Sequence, residues 1–315
     1  MCQGAELSLK LIKGIDNFPG YDDRTVATIG TFDGLHLGHQ AILRRLKMSA
    51  DKMGMNSLAI TFEPHPRVLV TPGSPPLLLT CLDEKVSLFE RYMDGTLLVL
   101  DFTPELMNLT AEEFTRKYLV ERINLAKLIV GYDHAFGKGR SGTINDLMDL
   151  SRKYSFELEI VDPVIVNGRP ISSTRIRQLM MGRNLTQAIK FLGHPYPLRG
   201  KVIGGIGLGK KLGFPTANLE CNPRKLLPAD GVYSCSIEHA GRNHDGMMFI
   251  GKNHFNPQAD KSVEINIFNF DEEIYGEKVT CYPEVFVREN RKYTDTGDLV
   301  EQIKQDKKKI LMLKK

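Results

Sequence analysis

Two histidines stand three residues apart in Gly30-Thr31-Phe32-Asp33-Gly34-Leu35-His36-Leu37-Gly38-His39-Gln40, directly after a β-branched apolar run. At that spacing, at the start of a helix, both rings share a face, and the unpaired N–H groups of the first turn favour an anion. Gly38 between them leaves the backbone open to a ligand. Attack on the α-phosphorus of a nucleoside triphosphate needs such donors on the phosphates and no protein nucleophile. A lone H-x-x-H is more often a satisfied pair or half a metal site. Here no third ligand sits at metal spacing, and the strand, the glycines and Phe-Asp-Gly favour a phosphate cradle.

A second constellation is Ile171-Ser172-Ser173-Thr174-Arg175-Ile176-Arg177, after an Asn167-Gly168 turn. Ser173 suits a helix cap and Gly182 a helix stop, which makes Arg175 and Arg177 an anion clamp or two solvated arginines. Between the two motifs, the stretch from Gly131 to Gly142 (GYDHAFGKGRSG) carries four glycines among aromatic and basic residues. It suits a planar ring and a phosphate. Thr61-Phe62-Glu63-Pro64-His65-Pro66 reads equally as a rigid turn or a ligand contact.

The run Gly204-Gly205-Ile206-Gly207-Leu208-Gly209-Lys210-Lys211-Leu212-Gly213-Phe214-Pro215-Thr216-Ala217-Asn218 is nearly a P-loop, but Lys211 stands where Ser or Thr must hold the metal. A dinucleotide fingerprint fails too, at Leu212. What remains is a glycine loop able to wrap phosphates through Gly207, Gly209 and Lys210. Thr216 and Asn218 follow, two neutral oxygen donors on one side of an extended segment, suited to a Mg²⁺ shell shared with phosphates and waters. In Val263-Glu264-Ile265-Asn266-Ile267 the alternation turns Glu264 and Asn266 away from the apolar face. On alternation alone Glu264 is an ordinary outward glutamate; beside a phosphate cradle it is a proton acceptor for a substrate hydroxyl.

The elements that must position these residues change character near residue 190. Before it, strands at 25–29, 57–62, 96–100, 127–130 and 158–161 alternate with helices at 38–53, 83–93, 111–120 and 143–154. That pattern predicts a parallel sheet flanked by helices, with ligands at the carboxyl ends of its strands. After it come short strands at 201–203, 231–238, 247–250, 263–270 and 278–286 and one helix at 297–313, with Leu299, Ile303, Ile310 and Leu313 as its apolar side. A small antiparallel barrel with a terminal helix fits. The helix 185–192 and the proline-containing segment after it read as the linker, giving domains 1–185 and 186–315.

Composition sets the limits. The 315 residues are 42% hydrophobic and 25% charged, which suits two folded domains and excludes a disordered chain. Lys+Arg 42 against Asp+Glu 38 leaves +4, enough for small anions and no argument for a nucleic-acid partner. Five scattered cysteines without a CxxC pair show neither a disulfide framework nor a zinc site. Apolar runs such as Leu97-Leu98-Val99-Leu100 fall far short of a membrane span. With no signal segment apparent, the expectation is a soluble, cytoplasmic protein.

Taken together, GTFDGLHLGHQ at 30–40, GYDHAFGKGRSG at 131–142 and ISSTRIR at 171–177 resemble the adenylyltransferase half of prokaryotic bifunctional riboflavin kinase/FAD synthetase. GKKLGFPTANL at 209–219, Gly231-Val232-Tyr233, the strand with Glu264 and the segment 287–293 resemble its kinase half. The resemblance implies a Rossmann-like nucleotidyltransferase domain followed by a β-barrel kinase domain. It implies phosphoryl transfer from ATP to riboflavin, giving FMN, then adenylyl transfer from ATP to FMN, giving FAD and pyrophosphate. It further implies adenylylation residues Gly30, Phe32, Asp33, His36, Gly38, His39, Ser173, Thr174 and Arg177. On the kinase side it implies Gly207, Gly209, Lys210, Thr216 and Asn218 at ATP, Thr216 and Asn218 at Mg²⁺, and Glu264 as the base. Glu63, His65, Asp133, Phe136, Gly137 and Arg288 would contact flavin. Partners would be ATP, riboflavin and FMN, with no nucleic acid or membrane, and weak self-association is allowed. The chain departs from the family pattern at Lys252-Asn253-His254-Phe255, at His134 where Phe is common, and at Arg67 after the His65-Pro66 pair. A flavin-binding module without turnover would not need the base. A class I aminoacyl-tRNA synthetase fragment, which also uses an H-x-G-H, would lack ISSTRIR and the Pro-Thr-Ala-Asn barrel.

Overall fold

Strand–helix alternation over the first half of the chain leaves each strand parallel to its predecessor, because a helical crossover returns the chain to the same end of the sheet. The computed structural model describes residues 9–21, 23–205, 207, 209, 212–252, 261–293 and 295–314. Lys210, Lys211 and residues 253–260 therefore lie outside the described residues. The chain divides into two compact units, Met1–Ser172 and Ser173–Lys315.

In the first unit the elements are β1 Leu9–Lys13, β2 Thr25–Ile29, α1 Leu37–Met53, β3 Asn56–Glu63, α2 Arg67–Val70, α3 Leu82–Tyr92, β4 Gly95–Asp101, α4 Pro104–Met107, α5 Ala111–Phe114, β5 Leu125–Gly131, α6 Ile144–Tyr154 and β6 Glu157–Val161, with a two-stranded ladder of β7 Ile165–Val166 and β8 Arg169–Pro170. A π-helical stretch, Thr115–Val120, continues α5, so the helix expected at 111–120 is present in two geometries. Strand order is β1-β4-β3-β2-β5-β6, parallel throughout. Alternation along the strands feeds two cores. Ala27, Ile29, Leu58 and Ile60 meet Phe114, Leu119 and Leu147 on one face; Val26, Ala59 and Val99 meet Leu43, Leu46, Leu88 and Phe89 on the other. From β2 the chain runs to β3 and β4 on one side, then returns to β5 on the other. The order reverses between β2 and β5, and such a switch point is where this architecture binds ligands. The loops 30–36 and 132–142 leave these two strands at their carboxyl ends.

The second unit holds α7 Ser173–Met181, α8 Leu185–Leu192, β9 Leu198–Ile203, β10 Ala217–Cys221, β11 Gly231–His239, β12 Arg242–Gly251, β13 Ser262–Ile267, β14 Lys278–Arg288 and α9 Thr296–Leu313. Its six strands form a closed barrel, order β10-β13-β12-β11-β14-β9, antiparallel at every pair. β13 stops at Ile267, short of the expected 270, because the Phe268 N–H turns to the Asp245 carbonyl and Asn269 takes φ 52°. The helix expected as the linker is packed within the second unit. In α8 Leu185, Ala188, Phe191 and Leu192 are buried, and Tyr196 beyond it is fully buried, donating to the Leu226 carbonyl at 2.6 Å.

Helix α9 corrects another expectation. Ile310 is fully buried against Val232, Phe268 and Val287, but Leu313 is exposed. The residue between Ile303 and Ile310 on the inward side is Asp306, 3% exposed. Arg288 answers it from β14: Nε donates to both carboxylate oxygens (3.0 and 2.8 Å), Nη2 approaches Oδ2 at 2.7 Å, and Gln302 adds a third donor. Removing one partner of a buried pair strands the other charge, which costs about 3–5 kcal/mol. Asp306→Ala should lower the stability of the barrel by that order in urea unfolding, whereas Asp306→Ala combined with Arg288→Met should recover part of it.

Candidate functional site

The first cradle is built by the turn from β2 into α1. Gly30 continues the ladder through its N–H to the Ile60 carbonyl at 3.0 Å. The chain then reverses through Phe32 (φ 47°), Gly34 (φ 83°) and Leu35 (φ 37°). Left-handed backbone at non-glycine residues persists only when its surroundings hold it. Three contacts do so: the Thr80 N–H donates to Asp33 Oδ1 (3.0 Å), the Gly34 N–H to Thr80 Oγ1 (2.9 Å), and the Lys85 ammonium to the Thr31 carbonyl (2.9 Å). Phe32 is buried, its ring edge-on to Phe89 and His39 at 5.4 Å each. Phe32 and Asp33, expected among the nucleotide contacts, thus turn their side chains inward and shape the loop.

His36 caps α1. Its Nδ1 accepts the His39 N–H at 3.4 Å, so the neutral ring carries its proton on Nε2, a donor. The two imidazoles lie stacked, 3.6 Å apart at 15°. A Cβ on Gly38 would come within 3.2 Å of the His36 ring, so the glycine leaves room for the imidazole. His39 Nδ1 is buried with no hydrogen-bond partner. Burial, then the neighbouring His36 and Lys85, hold its pKa well below the ordinary histidine value, which keeps the ring neutral. A buried nitrogen of this kind calls for a hydrogen-bond partner.

Lys85 escaped the sequence reading. It lies on the same side of α3 as Leu88 and Phe89, and a lysine inside an apolar stripe was the available signal. On the next strand, Glu63 is half-buried and His65 Nδ1 accepts the Arg67 N–H at 3.1 Å, a rigid turn. In the loop after β5, Phe136 and Gly142 exchange backbone hydrogen bonds (3.1 and 3.0 Å), and Phe136 meets Phe114 edge-on. Gly137 (φ 73°) lies so close to Ala111 that a Cβ would meet its nitrogen at 2.7 Å. Asp133 is exposed on this loop. His134 Nε2 is buried without a partner, and burial with Arg140 nearby lowers its pKa to about 4. Ser173 is the first residue of α7 and not a residue ahead of it; Thr174 and Arg177 share its opening turns, and the Arg175 guanidinium lies 4.6 Å over Phe191. These belong to the second unit.

The second cradle is on the barrel. Asn218 of β10 stands directly opposite Glu264 of β13, and Ala217 opposite Ile265. Val263 and Ile265 are buried, so Glu264 takes the other face with Asn266. Burial pushes the Glu264 carboxyl above its ordinary pKa; the Ser262 hydroxyl, 3.3 Å from Oε1, pulls the opposite way less strongly. Asn266 Nδ2 donates to the Pro215 carbonyl at 2.7 Å, fastening the turn before Thr216, while its buried Oδ1 has no partner. A Cβ on Gly205 would overlap the Asn218 amide, and one on Gly209 would meet Phe214 O and, at 3.0 Å, Thr216 Oγ1. The N–H groups of Leu212 and Phe214 both return to the Gly209 carbonyl (3.2 and 2.8 Å). Gly205 and Gly209 therefore lie against Asn218 and Thr216. Gly207 takes φ 69° with open space beside it; Lys210 lies outside the described residues. Arg288, expected at the flavin, spends Nε and Nη2 on Asp306 and donates from Nη1 to the Glu289 carbonyl at 2.9 Å. A hydroxyl, an amide and a carboxylate form a hard-oxygen set suited to Mg²⁺, which keeps waters and phosphate oxygens in its shell. Among the described residues no group of three or more His, Cys, Asp or Glu could hold a metal.

Residues 19–175 match the family model described as FAD synthetase, and residues 192–313 the one described as riboflavin kinase. The bifunctional riboflavin kinase/FMN adenylyltransferase of Listeria monocytogenes is 34% identical over 290 residues, covering 90% of this chain and 91% of that protein. The enzyme of the same name from Buchnera aphidicola subsp. Schizaphis graminum is 32% identical over 303 residues, covering 95% and 96%. A crystal structure from Streptococcus pneumoniae, described as a macrolide-efflux protein, superposes with a TM-score of 0.85 at 33% identity, covering 95% and 97%. Among the described residues, no helix of this chain is long and apolar enough to cross a membrane.

Proposed function

This chain belongs to the bifunctional riboflavin kinase/FMN adenylyltransferase family, and from that premise we propose that each of its two activities has its own phosphate cradle. The barrel phosphorylates riboflavin and the helix-flanked sheet adenylylates FMN.

In the kinase step the ribityl 5′-hydroxyl attacks the γ-phosphorus of ATP, and ADP leaves. Glu264 takes the hydroxyl proton; its raised pKa makes it a stronger base than a surface carboxylate. Thr216 and Asn218 would hold Mg²⁺, which when bound neutralises charge on the transferring phosphates. The loop with Gly207, Gly209 and Lys210 wraps the nucleotide. This assignment stands on the rung that sets Asn218 opposite Glu264.

In the adenylyl step an FMN phosphate oxygen attacks the α-phosphorus of ATP and pyrophosphate departs. No proton has to be removed from the attacking phosphate, so the protein's task is positioning and charge stabilisation. His36 donates through Nε2–H, the first turn of α1 adds its N–H groups, and His39 offers its unanswered nitrogen. Thr174 and Arg177, in the opening turns of α7, carry a hydroxyl and a guanidinium suited to phosphates. Glu63, His65, Asp133, Phe136 and Gly137 form the flavin side. Arg288 serves the kinase half through α9, by its pairing with Asp306. The enzyme works in the cytoplasm on small molecules.

Flavin chromatography after incubation with riboflavin, ATP and Mg²⁺ tests the whole reading. FMN should appear first and FAD next; failure to convert either supplied flavin would overturn the corresponding half. Gly205→Ala offers a narrower check. Its methyl group would displace the Asn218 amide, so riboflavin phosphorylation should fall roughly tenfold or more while supplied FMN is still adenylylated, since small misplacements at reacting centres reach about 100-fold.

A further inference from the structure

We propose that Lys85 is a positioning residue of adenylyl transfer, its buried ammonium fixing the Thr31 carbonyl and setting a fixed positive charge behind the nucleotide loop. The proposal rests on the assignment of His36 and His39 to that reaction.

Lys85 is 3% exposed on α3. Its ammonium donates to the Thr31 carbonyl at 2.9 Å and to Thr61 Oγ1 at 3.4 Å, and the Thr61 hydroxyl itself donates to Thr31 O at 3.2 Å. Both acceptors are neutral. Asp33, Glu63 and Cys81 act on the ammonium through space, but Asp33 Oδ1 is already engaged by the Thr80 N–H. Glu84, the next residue back, is turned to the Cys81 N–H at 2.9 Å. A buried cation whose hydrogen-bond partners are neutral is offset only through space, here by Asp33 and Glu63. A polyphosphate bound over the 30–36 loop would add negative charge to theirs. The ammonium is also rigid and screened from water, where a fixed charge acts far more strongly than at a surface.

A purely structural lysine would do less. It would fasten α3 to the ends of β2 and β3 through its hydrogen bonds alone, a task that a neutral donor could share. Here the same positive charge disfavours protonation of His39, alongside burial and His36. Charge and hydrogen bonding can therefore be separated by substitution.

The test uses the full chain with Lys85→Met, Lys85→Gln and Thr61→Val. Gln keeps a donor for the Thr31 carbonyl without the charge, and carries the test should the Met variant not fold. Val at 61 removes one acceptor and keeps the charge. Three readouts are needed: FMN adenylylation, riboflavin phosphorylation, and the His39 titration by NMR, assigned against His39→Ala. Loss of the charge should lower kcat/KM for adenylylation about 10- to 100-fold, leave riboflavin phosphorylation unchanged, and raise the His39 pKa. Thr61→Val should leave the His39 titration in place. The proposal fails if Lys85→Gln adenylylates normally with an unmoved His39, or if Thr61→Val reproduces every effect of the charge-removing variants. Normal adenylylation by His39→Ala would instead overturn the site assignment itself.

Discussion

His36→Ala should lower FMN adenylylation about 10²- to 10³-fold, the usual effect of removing one donor to developing charge, while riboflavin is still phosphorylated. Chromatography of a reaction started from riboflavin would then show FMN accumulating without FAD. Two contributions are lost together. The imidazole caps α1 through Nδ1 and stacks on His39 at 3.6 Å, and in the proposed reaction its Nε2–H would donate to the charge that builds on the α-phosphate. Capping alone is worth about 1 kcal/mol. His36→Asn restores a cap but not a donor in the same place, so it should recover stability with little recovery of activity. Simultaneous loss of both activities in a folded protein would contradict two separate cradles.

Glu264→Gln should reverse the pattern. General-base assistance typically contributes about 10²- to 10⁴-fold, so riboflavin phosphorylation should fall by that order while supplied FMN still becomes FAD. The pH behaviour follows from the direction of the shift. Burial raises the pKa of Glu264 in the folded barrel, and the base works only when ionised. Wild-type phosphorylation should therefore decline with acid at a higher pH than a surface carboxylate would give, and the Gln variant should lack that limb. In the window between the unfolded and folded pKa values the folded state binds more protons, so stability falls as pH rises through it. Above the window the ionised, buried carboxylate remains a burden. Glu264→Gln should consequently melt higher than wild type at neutral pH, with the difference closing as acid protonates the glutamate. A variant that loses both stability and kinase activity would point to a packing role for Glu264.

Much of the fold is legible in the sequence. Strand–helix alternation ordered the first unit correctly because its buried strands are apolar on both faces, and the two nucleotide-loop motifs follow strands as expected. β1 and β10 were not foreseen as strands. β1 is a five-residue edge strand that takes its register from β4 alone. β10, Ala217–Cys221, has little intrinsic strand preference and is held by its neighbours β9 and β13. The site shows the same division. Residue spacing set Glu264 and Asn266 on one face, but only strand register brings Asn218 opposite Glu264. Polar residues that support the loops, such as Asp33 and Lys85, resemble surface residues in a sequence. Their role depends on contacts 46 to 54 positions away, Gly34 to Thr80 and Thr31 to Lys85. Asp306 was hidden for a related reason, since its partner Arg288 lies on a different element.

The division of the chain after Ser172 has a practical reach. It cuts through ISSTRIR, since α7 packs with α8 in the second unit. A gene split at that seam would yield a first fragment with both imidazoles but without Thr174 and Arg177. Moving the cut to residue 185 would return those side chains to the first fragment and take α7 from the barrel fragment. Anyone expressing the halves separately faces that trade directly, and complementation between unequal fragments sharing 173–185 would be the way around it.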